Sequence, residues 1–409
     1  MLKKIVLVSS GQPSANPRLV KEAIALSSSG YDVTVIYCPL SEWADDYDAT
    51  LFKENASIKW VKAGYHLSKE KWLYNYARLR KKYWNLLYKI LGDKYDGAIR
   101  SSVLYSQELN TEVKKHKADI YIGHNLGAMP AIVIAAKQNK SKALFDFEDF
   151  HRGEGKENEE AWLKTMQTEN KYIPFLHSAT AASPLINAAY KNLYPTLIIE
   201  TINNCFPLKY AVSEIKLLPT QPLKLFWFSQ TIGKNRGLET VIQAMAKIMN
   251  IEITLLGNYT DSIKNYFLNY AEAHQLDPVH LYFLLPVDES EITAIAAQHH
   301  IGLSTEVPVT INRDVCLTNK LFMYLLAGNA IVFSRTKANI SLVKEHTDIG
   351  KLFTWDNPDE LADIFKYYQN DDKELNKHRS NALYLGTQFY NWDVEKNRFL
   401  SYVENIPVN

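Results

Sequence analysis

Short apolar runs alternate with amphipathic helical stretches along the whole of this chain, and that alternation constrains the fold more than any single motif. The runs fall at residues 4–9, 32–37, 118–123, 142–146 and 197–200 in the first half. In the second half they fall at 224–228, 251–256, 280–284, 301–304 and 330–333. Strands that are apolar throughout are buried on both faces, and helical connections between them put a parallel sheet inside a coat of helices. The predicted class is α/β with Rossmann-like domains.

At 409 residues the chain exceeds one ordinary core, so two domains are expected. The break is placed at residues 213–222, where Pro219 and Pro222 serve neither a ladder nor a helix interior. This predicts a first domain over 1–212 and a second over 223–386. Ligands of open parallel sheets gather at the carboxyl ends of the strands. Two sheets with facing carboxyl edges would enclose one central cleft.

Bulk composition narrows the function. An apolar share of 46% with 22% charged residues is that of a globular protein, and 46 Lys plus Arg against 45 Asp plus Glu leaves no global field to draw nucleic acid. Cys38, Cys205 and Cys316 are odd in number and lack ligand spacing, as expected of a reduced, cytoplasmic setting. Lys3 and Lys4 before an apolar run resemble a signal peptide, but the run is short and reads as a first strand. No segment is long and apolar enough to be expected to span a membrane.

Two stretches of the second half suit an anion. In residues 316–334, Thr318 or Asn319 is expected to cap a short helix by accepting from its first turn, with Lys320 beside it and Gly328 ending it. A helix N-terminus next to a lysine is a place to hold phosphate. In residues 229–237, Gly233 and Gly237 let the backbone turn its N–H groups toward an anion, while Lys234 and Arg236 add charge. Alone, this loop reads equally well as a tight turn with solvated side chains. It leads into a helix over 238–249 with Leu238, Val241, Ile242, Met245 and Met249 on one stripe.

Further candidates are single residues. His124 ends a strand and faces the cleft or serves the structure. Glu148, Asp149 and His151 form an acidic loop suited to acceptor hydroxyls or proton transfer, or simply solvated. The pair His299-His300 reads as the end of a surface helix, since no other ligand stands at zinc spacing. Residues 69–91 place Trp72, Tyr76, Leu79, Tyr83, Leu86 and Ile90 on one helical face and Lys71, Arg78, Lys82 and Lys89 on another. That pattern suits an anionic membrane surface or, equally, a core-packed helix with a basic outer side.

The two anion-suited segments, in this order, resemble the C-terminal domain of GT-B glycosyltransferases, particularly the large retaining family that uses nucleotide-activated sugars. Arg236-Gly237 is similar to that family's basic residue and glycine, and residues 319–332 to its "NKLFEYLAAG-PVV" signature. Residues 16–23 and 30–36 resemble its first strand-helix-strand unit, Ala118 to Asn125 its strand ending in histidine, and Asn203-Asn204 the asparagine before its linker. Residues 390–393 resemble the start of its closing helix, which the resemblance carries over 387–409 back to the first domain.

The resemblance implies a GT-B fold and transfer of a sugar from a nucleotide diphosphate to a glycan or lipid-linked acceptor in polysaccharide or glycoconjugate assembly. It implies Gly233, Lys234, Arg236, Thr318, Asn319 and Lys320 on the diphosphate, His124 and Glu306 at the sugar, and Gly11, Arg18, Glu148, Asp149 and His151 toward the acceptor. With cations and a helix start on the diphosphate, no metal or cofactor is expected. The chain departs from the family at Met323, where a ribose-contacting glutamate is usual, and at Thr231, where arginine is common. A GT-B sugar-nucleotide epimerase and a non-catalytic binding module are the alternatives.

Overall fold

The computed structural model describes residues 3–219 and 221–407. Met1 and Leu2 of the expected first run, Thr220 of the expected linker, and Val408 and Asn409 of the expected closing segment lie outside the described residues. The chain divides into two compact units. One holds residues 1–202 together with 396–409, and the other residues 203–395.

The first unit is a seven-stranded parallel sheet: β1 (Lys4–Ser9), β2 (Asp32–Tyr37), β3 (Lys59–Lys62), β4 (Ile120–His124), β5 (Lys142–Phe147), β6 (Ser178–Ala181) and β7 (Ile199–Thr201). Their spatial order is β3-β2-β1-β4-β5-β6-β7. The second unit is a six-stranded parallel sheet of β8 (Leu223–Thr231), β9 (Ile251–Asn258), β10 (Leu281–Leu284), β11 (Ile301–Ser304), β12 (Ala330–Ser334) and β13 (Gly350–Phe353). Its order is β10-β9-β8-β11-β12-β13.

Both orders reverse direction beside their first strand, at β1/β4 and at β8/β11. Such reversal points leave a crevice at the strands' carboxyl ends, because the two flanking connections run to opposite faces. In the first unit, register sets Ser9 opposite His124 there. The central strands carry the core: Ile5, Leu7, Ile122 and Phe145 are buried in one sheet, and Leu225, Ile253, Leu303 and Val332 in the other. This continuous burial is why the strands read as unbroken apolar runs rather than as alternating ones.

Helix ends follow local chemistry. Asn16 accepts from the Leu19 N–H at 3.0 Å to open the Pro17–Ser28 helix, whose Pro17 needs no donor there. Gly328 ends the Asn319–Ala327 helix with φ +66°, a left-handed value that glycine adopts without strain. The helix after β8 stops at Met245, so Met249, expected on its apolar stripe, is 84% exposed.

Candidate functional site

At the reversal point of the first unit, a cluster of ions is sealed under the carboxyl ends of β4 and β5. Arg18 and Glu22 lie one turn apart on the inner face of the Pro17–Ser28 helix, and both are fully buried. Arg18 grips Asp146 of β5 in a two-pronged pair, at 2.7 Å and 2.8 Å, and donates a third bond to the Ile202 carbonyl at 2.6 Å. Thr180 donates to the same carboxylate at 2.6 Å. His124 stands between two acids, with Nε2 3.2 Å from Glu22 and Nδ1 3.5 Å from Asp146.

The charges balance only if the imidazole is protonated. Burial opposes that, but the charges of Glu22 and Asp146 outweigh it and take His124 up to about 9. Burial works to raise Asp146, yet Arg18 and His124 hold it well below the usual carboxylate range. The ring expected to face a donor sugar is therefore enclosed: it is 1% exposed, and both nitrogens turn toward carboxylates.

The acidic loop continues from β5. Glu148 is half-buried, and burial followed by the charge of Asp146 pushes its carboxyl up to about 7. For His151 burial opposes charging, but Glu154 at 3.2 Å raises it, while its backbone N–H donates to the Tyr190 hydroxyl at 3.1 Å. Asp149 is half-buried beside them. Gly11 sits at the end of β1, where its N–H donates to Ser9 Oγ and a Cβ would meet only ordinary contacts.

The second unit's reversal point gathers the anion-suited segments. Glu306, just past β11, is buried and accepts from Ser304 at 2.7 Å, Thr318 at 3.1 Å and Lys320 at 2.6 Å. Burial disfavours its charge, but Lys320 and the two hydroxyls prevail and hold it below the ordinary glutamate value. Thr318 Oγ is thereby spent on Glu306 instead of capping, so the Asn319–Ala327 helix opens with no side-chain cap. That corrects the expected cap; the Leu321 N–H turns to the Thr318 carbonyl at 3.2 Å, and no side chain caps the N–H groups of Asn319 and Lys320.

Opposite lies the β8 loop. An irregularity between Phe228 and Thr231 re-aims the strand end, and Arg236 Nη1 donates to Ser229 Oγ at 2.9 Å. Gly237, at φ +79°, lets the loop press on β11: an added Cβ would stand 2.5 Å from the Thr305 carbonyl. Thr305 Oγ1 in turn donates to the Arg236 carbonyl at 2.9 Å. Arg236, Thr318, Asn319, Lys320 and Glu306 are thus assembled, with Gly233 in the loop. Lys234 is not part of this group, because its ammonium lies 3.8 Å over the Tyr266 ring.

Sequence reasoning missed Glu22, which reads as a solvated helix residue, and Arg313. The latter is exposed on the short Ile311–Val315 helix, and after burial its charge is the main cause depressing Arg236. Met323 is fully buried on the Asn319–Ala327 helix, so the ribose-contacting position of the resembled family is here an apolar packing position. His299 and His300 do not end a surface helix. Both are buried, with His299 Nε2 2.8 Å from Thr254 Oγ1 and His300 Nδ1 accepting from the Lys224 N–H at 2.9 Å.

No protein-family model matches the chain, and no curated protein matches it. Solved structures do. HepE of Anabaena, solved with UDP, superposes with a TM-score of 0.69 at 14% identity, over 99% of this chain and 100% of that one. Sucrose-phosphate synthase of Thermosynechococcus elongatus gives 0.69 at 12% identity over 98% of both. A variant of S. aureus TarM, solved with fondaparinux, alpha-GlcNAc-glycerol and UDP, gives 0.67 at 11%, over 99% of both. The chain has the GT-B fold, two Rossmann-like domains.

Proposed function

We propose that this chain is a glycosyltransferase that moves a sugar from a nucleoside diphosphate to a glycan or lipid-linked acceptor, working at the inner face of the cell membrane in polysaccharide or glycoconjugate assembly, with retention of configuration. The observation that carries the reading is the uncapped helix start at Thr318, set beside Lys320, Arg236 and the buried Glu306 at the reversal point of a GT-B domain. The structural neighbours solved with UDP support it.

In this reading the diphosphate takes the place of a cap, accepting from the N–H groups of Asn319 and Lys320 and from Arg236 and Arg313. Negative charge builds on the departing diphosphate as the bond to the sugar breaks, so fixed cations and amides there stabilise the transition state more than the ground state. Glu306, held ionised and oriented by three donors, accepts from the sugar hydroxyls. The acceptor falls to Glu148, Asp149 and His151 with Gly11, and Glu148, poised near neutrality, is suited to exchange a proton. His124 and Arg18 act as positioning residues: they hold Glu22 and Asp146 beneath that loop.

The sealed Met323 favours a second reading, a module that binds a sugar nucleotide without turning it over. Thermal unfolding with a panel of nucleotide sugars, followed by product NMR, tests both. A donor should raise the melting temperature in the wild type and in Lys234→Ala but not in Arg236→Ala. Transfer with an unchanged anomeric configuration is expected. Stabilisation without turnover would select the second reading, and equal stabilisation of Arg236→Ala would move the phosphate site elsewhere.

A further inference from the structure

The Lys71–Leu91 helix has two unlike faces. Its inner side is held by the first unit: Ala77 is buried, the Arg100 guanidinium lies 4.6 Å over the Trp84 ring, and Arg80 reaches Glu108 at 2.8 Å. On the outer side Trp72, Tyr76, Leu79, Tyr83, Leu86 and Ile90 line up at alternating steps of four and three, each between 52% and 76% exposed. An unbroken apolar stripe of three turns and more is too large to be incidental on a water-facing surface. The expected alternative of a core-packed apolar face does not hold here.

Charge says what covers the stripe. The helix contains six basic residues and no acidic one. Among the described residues, no ion pair engages Lys71, Arg78, Lys81, Lys82 or Lys89. On the flank turned away from the stripe, against Ser101 and Leu104, lies a cavity of about 560 Å³ walled by Tyr74, Arg78, Lys81, Lys82 and Asn85.

A second copy of the chain is a poor occupant. Lys82 and Lys89 immediately precede Tyr83 and Ile90, the flanking positions of a helical seam, and would meet like charges across it. We infer that the Lys71–Leu91 helix docks on an anionic phospholipid surface, its stripe entering the acyl boundary and Lys71, Arg78, Lys82 and Lys89 along its flank meeting headgroup phosphates. Long basic side chains reach back to the phosphates while their stems stay in the apolar layer. The inference deepens the proposed membrane-side transfer, yet it stands on this helix alone.

Sedimentation of the full chain with vesicles of phosphatidylcholine, with and without phosphatidylglycerol, tests it. Binding is expected only with phosphatidylglycerol, with Trp72 emission shifting to the blue. Replacing Lys71, Arg78, Lys82 and Lys89 by Gln should weaken binding by roughly a hundredfold or more, from the attraction each cation contributes near such a surface. Leu79→Glu with Leu86→Glu should abolish it. All these side chains are exposed, so unchanged melting temperatures should accompany the loss. Equal retention of wild type and variants, or no retention, overturns the inference. So does a concentration-dependent dimer that Leu79→Glu dissolves. Because the assay needs no donor, its failure leaves turnover in solution untouched.

Discussion

Lys320 and Glu306 form a buried ion pair at 2.6 Å in the proposed donor site. Removing the cation strands a buried carboxylate that keeps only two hydroxyl donors. Lys320→Met should therefore cost about 3 kcal/mol in urea unfolding, and adding Glu306→Gln should recover most of it. The carboxyl is depressed in the fold, so the pair stabilises above the unfolded glutamate value and loses effect as pH falls below about 4. The acid limb of stability should begin at higher pH in Lys320→Met. His124 has the opposite sign. Its folded value is raised to about 9, so its contribution is complete below the unfolded histidine value and disappears as pH rises through 9. That loss should be on the order of 3 kcal/mol between pH 6.5 and 9, and absent in His124→Gln. Glu148, raised to about 7, adds a loss of the same sign at lower pH. His124 stood out in the sequence because it ends a strand, and Arg18 entered only through the resemblance of residues 16–23. Glu22 did not stand out, because a glutamate on a helix is ordinarily solvated and only the fold turns it inward.

Elements were legible where a strand is a run of large apolar residues and illegible where it is not. β1, β2 and β11 read directly, since each is an apolar run sealed on both sides or nearly so. β3 is an edge strand with lysines at both ends, β6 is built of small residues, and β13 is only half-buried, so none of the three carries the apolar signal. The Lys71–Leu91 helix could be predicted, but which face met the protein could not, because amphipathicity is symmetric between a core and a membrane. The β8 loop shows the same limit. Its glycines announced a turn, while the requirement for one of them comes from a strand far away in sequence. At Gly237 the left-handed φ and the 2.5 Å approach to Thr305 act together. Gly237→Ala should lower stability by roughly 2 kcal/mol or more, as expected for strain at such a position. It should also erase donor-dependent thermal stabilisation, because Arg236 moves with the loop; Gly11→Ala, which meets no close contact, should lower stability by less than about 1 kcal/mol.

At the scale of the whole molecule, the closing segment 396–409 counts with the first unit although 193 residues of the second intervene. The Trp392–Glu404 helix starts against its own unit, where the Trp392 N–H donates to the Phe206 carbonyl at 2.8 Å and Asp393 Oδ2 accepts from the Leu208 N–H at 2.9 Å. Its far end belongs to the first unit: Phe399 and Val403 are buried, Ser178 Oγ lies 2.6 Å from the Tyr402 hydroxyl, and Lys3 donates to the Glu404 carbonyl at 2.9 Å. A chain that leaves a domain and returns to complete it makes that domain's stability depend on residues that follow the whole of the other domain in sequence. Phe399→Ala should therefore cost about 3–5 kcal/mol, the loss from removing a buried aromatic, and the cost should fall on the first unit. The proposed phosphate cradle is built entirely from residues 229–320 of the second unit. Donor should then still raise the melting temperature of Phe399→Ala by the wild-type increment, from a lower baseline. If the increment vanished with the baseline, phosphate recognition would depend on the closing segment, and the assignment of the cradle to Arg236, Lys320 and the helix start would fall.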